Sequence, residues 1–258
     1  MSVRSVSSTS PVRRSVSEEE WQARVELAAC HRLMHYSGIR DLTHNHLTAR
    51  VPGESDHFLI KAGDAMFDEV TASSLIKYDF DGNPQQDGYP KLRGGGLVIH
   101  AGLFPARPDI NAIFHTHTAA NMGVASQKEG LLPINQHAMH SWGQIAYHDF
   151  GGFEFDIAMR SPLVRDLGDK KIALLRNHGA LVCGETIGEA FVDHHFLDMA
   201  CQGQIAALTG GREVVLIPPE IRERAVAQAK SNAGRRTGGK DWVSALRFAE
   251  RLDPSFMD

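Results

Sequence analysis

Apolar and polar positions along this chain follow two periods, and the switches between them mark the elements. Trp21, Val25, Leu27, Cys30, Leu33 and Met34 recur at near-helical spacing, and the run stops around Gly38. Ser17-Glu18-Glu19-Glu20 precedes them as a capping box, with acids at the positive end of the helix. Residues 41–51, 57–61 and 75–80 read as strands. Pro52-Gly53 and Asp81-Gly82-Asn83-Pro84 read as turns, so the first part of the sheet is predicted to be antiparallel. Gly94-Gly95-Gly96 precedes an apolar helix that ends near Pro108, and 111–117 is an apolar strand. Helical segments at 119–128, 136–142 and 161–167 come next, followed by strands at 171–176 and 180–184. A second capping box, Thr186-Ile187-Gly188-Glu189, opens a helix to about Leu208 that Gly210-Gly211 closes. Two helices at 218–230 and 241–251 flank a Gly/Arg-rich link.

Composition narrows the class. With 258 residues, 42% of them hydrophobic and 22% charged, the chain has the makeup of a soluble globular protein with a substantial core. Residues 1–16 are rich in Ser, Val and Arg without an acid and read as a disordered tail, leaving 17–258 as the folded domain. A net charge of −4 gives no electrostatic footprint for nucleic acid or an anionic membrane. No apolar run approaches the roughly 18 to 20 residues of a membrane span. Cys30, Cys183 and Cys201 are odd in number and lack any Cys-x-x-Cys spacing, the usage of a reducing, cytoplasmic compartment. A small molecule is the expected partner.

The candidate chemistry sits at the end of two apolar strands. Successive strand residues face opposite ways, so His115 and His117 in Phe114-His115-Thr116-His117-Thr118 project from one face. His178 follows the second strand in Arg176-Asn177-His178-Gly179. Any one of the 14 histidines is more often packed or solvated than a ligand. Three together would leave an open position on Zn²⁺ or a similar ion, the catalytic rather than the structural arrangement. The glycines at 94–96 would turn backbone N–H groups toward an anion, or serve only as a flexible connection. His194 and His195, one turn from Asp198, read as a helical surface pair.

Taken with Arg107-Pro108-Asp109-Ile110-Asn111-Ala112-Ile113-Phe114-His115-Thr116-His117, Arg176-Asn177-His178-Gly179 and the long helix after Gly184, the sequence resembles the class II aldolase/adducin family over residues 17–210. The resemblance implies a three-layer α/β/α fold around a mostly antiparallel sheet. It also implies a divalent metal on His115, His117 and His178, Zn²⁺ first, with Mn²⁺, Fe²⁺ or Co²⁺ as alternatives. That ion would act as a Lewis acid on a substrate carbonyl. A homotetramer with sites at subunit borders is expected on the same ground.

Two departures from the family pattern bear on activity. Where the sugar-phosphate aldolases carry a Ser-Ser-Glu segment this chain has Gly94, Gly95 and Gly96, and their Ser-Gly-Asn segment is replaced by His44-Asn45-His46. A catalytic carboxylate and phosphate contacts are thereby lost. His44, Lys61 and Arg93, with Gly94 and Gly95, then become the candidate binding groups for an anion that is not a phosphate ester. His46, Tyr147 and His148 are the candidate proton-handling groups, with His137 and His140 behind them. Three activities compete: a metal-dependent decarboxylase or aldolase on a small carboxylate, a sugar-phosphate aldolase or epimerase, and an adducin-like binding module without catalysis.

Overall fold

Strand alternation decides which layer each β residue meets, and in this chain it builds two different faces. The computed structural model describes residues 10–231 and 239–258. Its sheet has seven strands: β1 (His46–Arg50), β2 (His57–Ile60), β3 (Ile76–Asp79), β4 (Ala112–Thr116), β5 (Ile145–His148), β6 (Ile172–Leu175) and β7 (Gly179–Gly184). Their order is β3-β2-β1-β4-β7-β6-β5. All pairings are antiparallel except β5 with β6, so the sheet is mixed and mostly antiparallel.

The helices are α1 (Pro11–Ser15), α2 (Glu18–Tyr36), α3 (Ala101–Ala106), α4 (Ala119–Ala125), α5 (Gln136–Ser141), α6 (Arg160–Leu167), α7 (Ile187–Leu208), α8 (Pro219–Ser231) and α9 (Lys240–Leu252). Leu47, Ala49, Ala112 and Phe114 pack on one side of the sheet against α2, α7 and α9. Farther along that side Ile172, Leu174, Ala180 and Val182 meet α4, α5 and α7. Ile113, Leu181, Cys183, Ala173 and Leu175 point the other way, to α3 and α6. The result is the expected three-layer α/β/α arrangement.

Both capping boxes form in their N-cap half, with Ser17 Oγ accepting from Glu20 N–H and Thr186 Oγ1 from Glu189 N–H, each at 3.0 Å. The Asp79 carboxylate accepts from Asn83 N–H (2.7 Å) and closes the expected turn. Other expectations change. Residues 1–9 and the Gly/Arg-rich link at 232–238 lie outside the described residues. The rest of the supposed tail is ordered: α1 is capped by Ser10, and Arg13 pairs with Glu18. The strand expected at 41–51 is only His46–Arg50, because 41–45 form a loop. The glycine triplet is inside a helix rather than ahead of it: helical turns begin at Gly94 and widen to a π-turn over Gly96–His100 before α3. The short strand β5 had no counterpart in the sequence reading.

Helix α9 docks through Trp242, 5% exposed, onto α7. A Cβ on Gly188 would lie 2.6 Å from the indole ring, so only glycine lets the two helices approach this closely. Gly188→Ala is therefore expected to lower unfolding free energy by about 1–3 kcal/mol, read from the denaturant midpoint, with metal binding unchanged. An unshifted midpoint would mean the indole is not held there.

Candidate metal centre

β4 lies between β1 and β7, with His46 opposite His115 on one side and Ala180 opposite Thr116 on the other. The β6–β7 hairpin turns through Arg176-Asn177-His178. Asn177 takes φ +58°, a conformation Asn tolerates better than most residues. Gly179 starts β7 so close to β4 that a Cβ there would sit 2.5 Å from the Thr116 carbonyl oxygen. This approach delivers His178 to the end of β4.

The three sequence-predicted histidines meet there. His117 Nε2 is 2.9 Å from His115 Nε2 and 3.0 Å from His178 Nε2, and all three ligand atoms lie within 4.8 Å of one another. Every Nδ1 faces outward to an acceptor: His115 to the Ala180 carbonyl (3.0 Å), His117 to Asp41 (2.8 Å) and His178 to Glu154 (3.1 Å). A carbonyl or carboxylate oxygen can only accept, so each Nδ1 carries the proton and the neutral ring's Nε2 is left bare. Three bare lone pairs facing each other repel unless a cation lies among them. Imidazoles whose second nitrogen is held by an oxygen are the donor set of a zinc-type site, so these residues fit a divalent ion.

The electrostatics agree. Burial pushes the His115 pKa well below its usual value, and neighbouring imidazoles add to the shift. Burial also lowers that of His117 despite the hydrogen bond to Asp41. Glu154 stays below the ordinary Glu range: burial raises it, but its hydrogen bond to His178 Nδ1 outweighs that. The site is thus three imidazole donors, each held through Nδ1 by an oxygen, two of these oxygens being carboxylates.

Residues between the ligands point the opposite way and hold the strand from behind. Thr116 Oγ1 is 2.7 Å from His194 Nε2 and accepts from Asn121 Nδ2 at 3.0 Å, while Thr118 donates to Asp198. Asn45 Oδ1 accepts from the His117 backbone N–H (2.8 Å). His194 is 3% exposed, so the expected surface pair is corrected: only His195 is at the surface, and His194 is a buried support of the β4 end.

The triad opens into a cavity of about 800 Å³. His44, His46, Lys61, Arg93, Gly94 and Gly95 all line it, as the sequence predicts. Lys61 is 4% exposed, and among the described residues its Nζ donates to the Thr43 and Ala62 carbonyls (3.0 and 3.3 Å). Without a carboxylate partner among the described residues, burial brings its pKa down to about 8. A Cβ on Gly95 would be 2.8 Å from His46 Cε1, so the imidazole fills the space a side chain there would need. His46 Nδ1 is enclosed and has no hydrogen-bond partner among the described residues.

Tyr147 and His148 are not brought to this cavity. They lie on β5, three strands from β4 and so roughly 14 Å across the sheet. The Tyr147 hydroxyl accepts from Leu131 N–H (3.1 Å) with Arg176 over its ring, and His148 pairs with Asp166 (2.7 Å). His137 and His140 stack on Phe196 instead. Asp41, Asn45 and Glu154 were missed as site residues. Asp41 was read as part of a strand, and Glu154 sits 24 positions before its partner His178 with no motif to join them.

A family model described as Class II Aldolase and Adducin N-terminal domain matches residues 25–205. A crystal structure of an aldolase II superfamily protein from Pseudomonas syringae is 39% identical, with a TM-score of 0.90 over 96% of this chain and 100% of that one. Alpha-adducin of Rattus norvegicus is 40% identical over 202 residues, which are 76% of this chain and 27% of adducin. The L-fuculose 1-phosphate aldolase of Glaciozyma antarctica shares the fold at 23% identity, with a TM-score of 0.79 over 92% of this chain and 91% of that one.

If the carboxylates fix the ligand tautomers, Asp41→Asn and Glu154→Gln will each weaken zinc affinity about 10- to 100-fold. Competition with a chelator measures this, and circular dichroism should show an unchanged fold. Unaltered affinity in both would remove the outward hydrogen bonds from the account.

Proposed function

The chain belongs to the class II aldolase and adducin family, and from that premise we propose that it is a metal-dependent carbon–carbon lyase. It would act as a decarboxylase or an aldolase on a small, non-phosphorylated carboxylate-bearing substrate. The observation that carries this reading is the convergence of three Nε2 atoms whose Nδ1 partners are all oxygens. His115, His117 and His178 would hold the ion, Zn²⁺ by preference over Mn²⁺, Fe²⁺ or Co²⁺. When bound, it supplies a Lewis acid for a substrate oxygen beside the bond that breaks.

The chain's own residues then define what else the site can do. Lys61 and, at the exposed rim, Arg93 supply positive charge for the substrate carboxylate. His46 faces the cavity beside His115, neutral because burial and the nearby His100 and Lys61 disfavour its cation. It is the hydrogen-bonding group proposed to stand in for the absent carboxylate at 94–96. Gly94, Gly95 and Gly96 line the same cavity at the start of a helical segment, where first-turn N–H groups can donate to substrate oxygen atoms. Lacking an acid at those positions, the site is less suited to sugar-phosphate cleavage or epimerisation. A cytoplasmic homotetramer accompanies this reading. No helix among the described residues is long and apolar enough to cross a membrane.

The 40% identity to alpha-adducin favours a second reading, a binding module without catalysis. Metal content and turnover separate the two. The purified chain is expected to carry near-stoichiometric divalent metal and to release CO₂ or an aldehyde from a panel of oxo and hydroxy-aromatic acids. His117→Ala should lose both metal and turnover yet melt cooperatively. A metal-free wild-type chain would sink the lyase reading, and turnover of phosphorylated sugars alone would sink the choice of substrate.

Lys61 sets a pH dependence. Its protonated form attracts an anion, and its pKa in the folded protein is about 8, so carboxylate affinity should fall as pH rises through that value. Lys61→Met should bind the acid about tenfold or more weakly at pH 7 and lose the step. Titrations in which both proteins show the same step would exclude Lys61 as the anion's partner.

A further inference from the structure

Lys61 follows β2 and the segment after β5 lies on the other side of β4 in the sheet order, and this second segment has a different character. After β5 the chain runs Asp149-Phe150-Gly151-Gly152-Phe153-Glu154-Phe155-Asp156-Ile157, and Phe150, Phe153 and Phe155 are 50%, 75% and 80% exposed. Their rings touch in series, Phe150 to Phe153 at 6.4 Å and Phe153 to Phe155 at 6.0 Å between centroids. Phe150 also reaches the His178 ring, at 6.3 Å. Scattered exposed apolar residues need no explanation, but three contiguous phenyl rings on the wall of a binding cavity mark a contact surface.

The placement of this patch decides its occupant. All three rings line the cavity that holds the histidine triad, and Met122 lines it too. Glu154, between Phe153 and Phe155, is tied to His178 Nδ1, so the aromatic loop is fastened to a metal ligand. Lys61 and Arg93 offer positive charge in the same cavity, and among the described residues the Lys61 Nζ donates to carbonyls rather than to a carboxylate. A ligand that satisfies both carries an anion at one end and a flat apolar group at the other.

Resting on the lyase reading, we propose that the substrate is an aryl-bearing acid whose ring packs against Phe150, Phe153 and Phe155 while its carboxylate faces Lys61. Face and edge contacts with the three rings would remove a phenyl group from water, and this discriminates it from a methyl group in the same position.

Calorimetric titration of the full-length, zinc-loaded protein with phenyllactate and lactate tests this. Wild type is expected to bind phenyllactate roughly ten- to hundredfold more tightly than lactate. A Phe153→Ser/Phe155→Ser variant, altered only at exposed positions, should narrow the ratio to within about threefold. An equal preference in wild type and variant overturns the proposal, as does equal binding of both acids by wild type. Light scattering showing that the variant falls apart from a wild-type assembly also overturns it, because the rings would then be a contact between copies. Binding of neither acid, with dihydroxyacetone phosphate bound instead, rejects the underlying substrate reading as well, and so is distinct from failure of the aryl pocket alone.

Discussion

Three imidazole Nε2 atoms held against one another with their protons turned outward form the constraint on which the rest of the site depends. Such a cluster is electrostatically unfavourable in the bare protein, and its acceptors are spread across the chain: Asp41 before β1, Glu154 after β5 and a backbone carbonyl in β7. Each acceptor selects one tautomer and one ring orientation. A divalent ion converts the mutual repulsion of the lone pairs into coordination, which gives the arrangement a chemical purpose that packing alone does not.

The sheet makes the cluster possible. Pairing of β4 with β1 and β7 sets His115 beside His46 and brings the β6–β7 hairpin alongside, and a glycine at 179 lets it close. The two-residue period then divides the labour at the β4 end. His115 and His117 face the cavity, while Thr116 and Thr118 bond to α7 through His194 and Asp198. A shift of one residue in register would exchange the ligands for their supports. The histidine triad, His46 and the glycine segment all line one cavity.

Much of this was legible in the sequence, because it rested on short-range periodicity. His-x-His at a strand end, the second strand ending at His178, the capping residues Ser17 and Thr186, and the antiparallel start of the sheet all follow from spacing. What was not legible depends on contacts distant in the chain. Asp41 is 76 positions from His117 and Glu154 is 24 from His178, and neither has a local pattern. Tyr147 and His148 could not be placed from sequence because β5 was missed; its four residues sit at the sheet edge, with β6 and β7 between them and β4. His194 was misread because α7 buries residues on several sides, which erases the amphipathic signal that marks a buried face. The glycines at 94–96 read from sequence as an anion loop or a flexible connection, yet the lack of side chains at 95 and 96 is also explained by the His46, Ile60 and Leu92 atoms packed against them.

The central claim is that His115, His117 and His178 together bind one catalytic ion, and X-ray absorption at the metal edge of the purified protein tests it most directly. The account predicts three imidazole nitrogens at about 2.0–2.1 Å, with the remaining coordination filled by oxygen. A spectrum dominated by oxygen or sulfur, or one without three imidazole ligands, would contradict it.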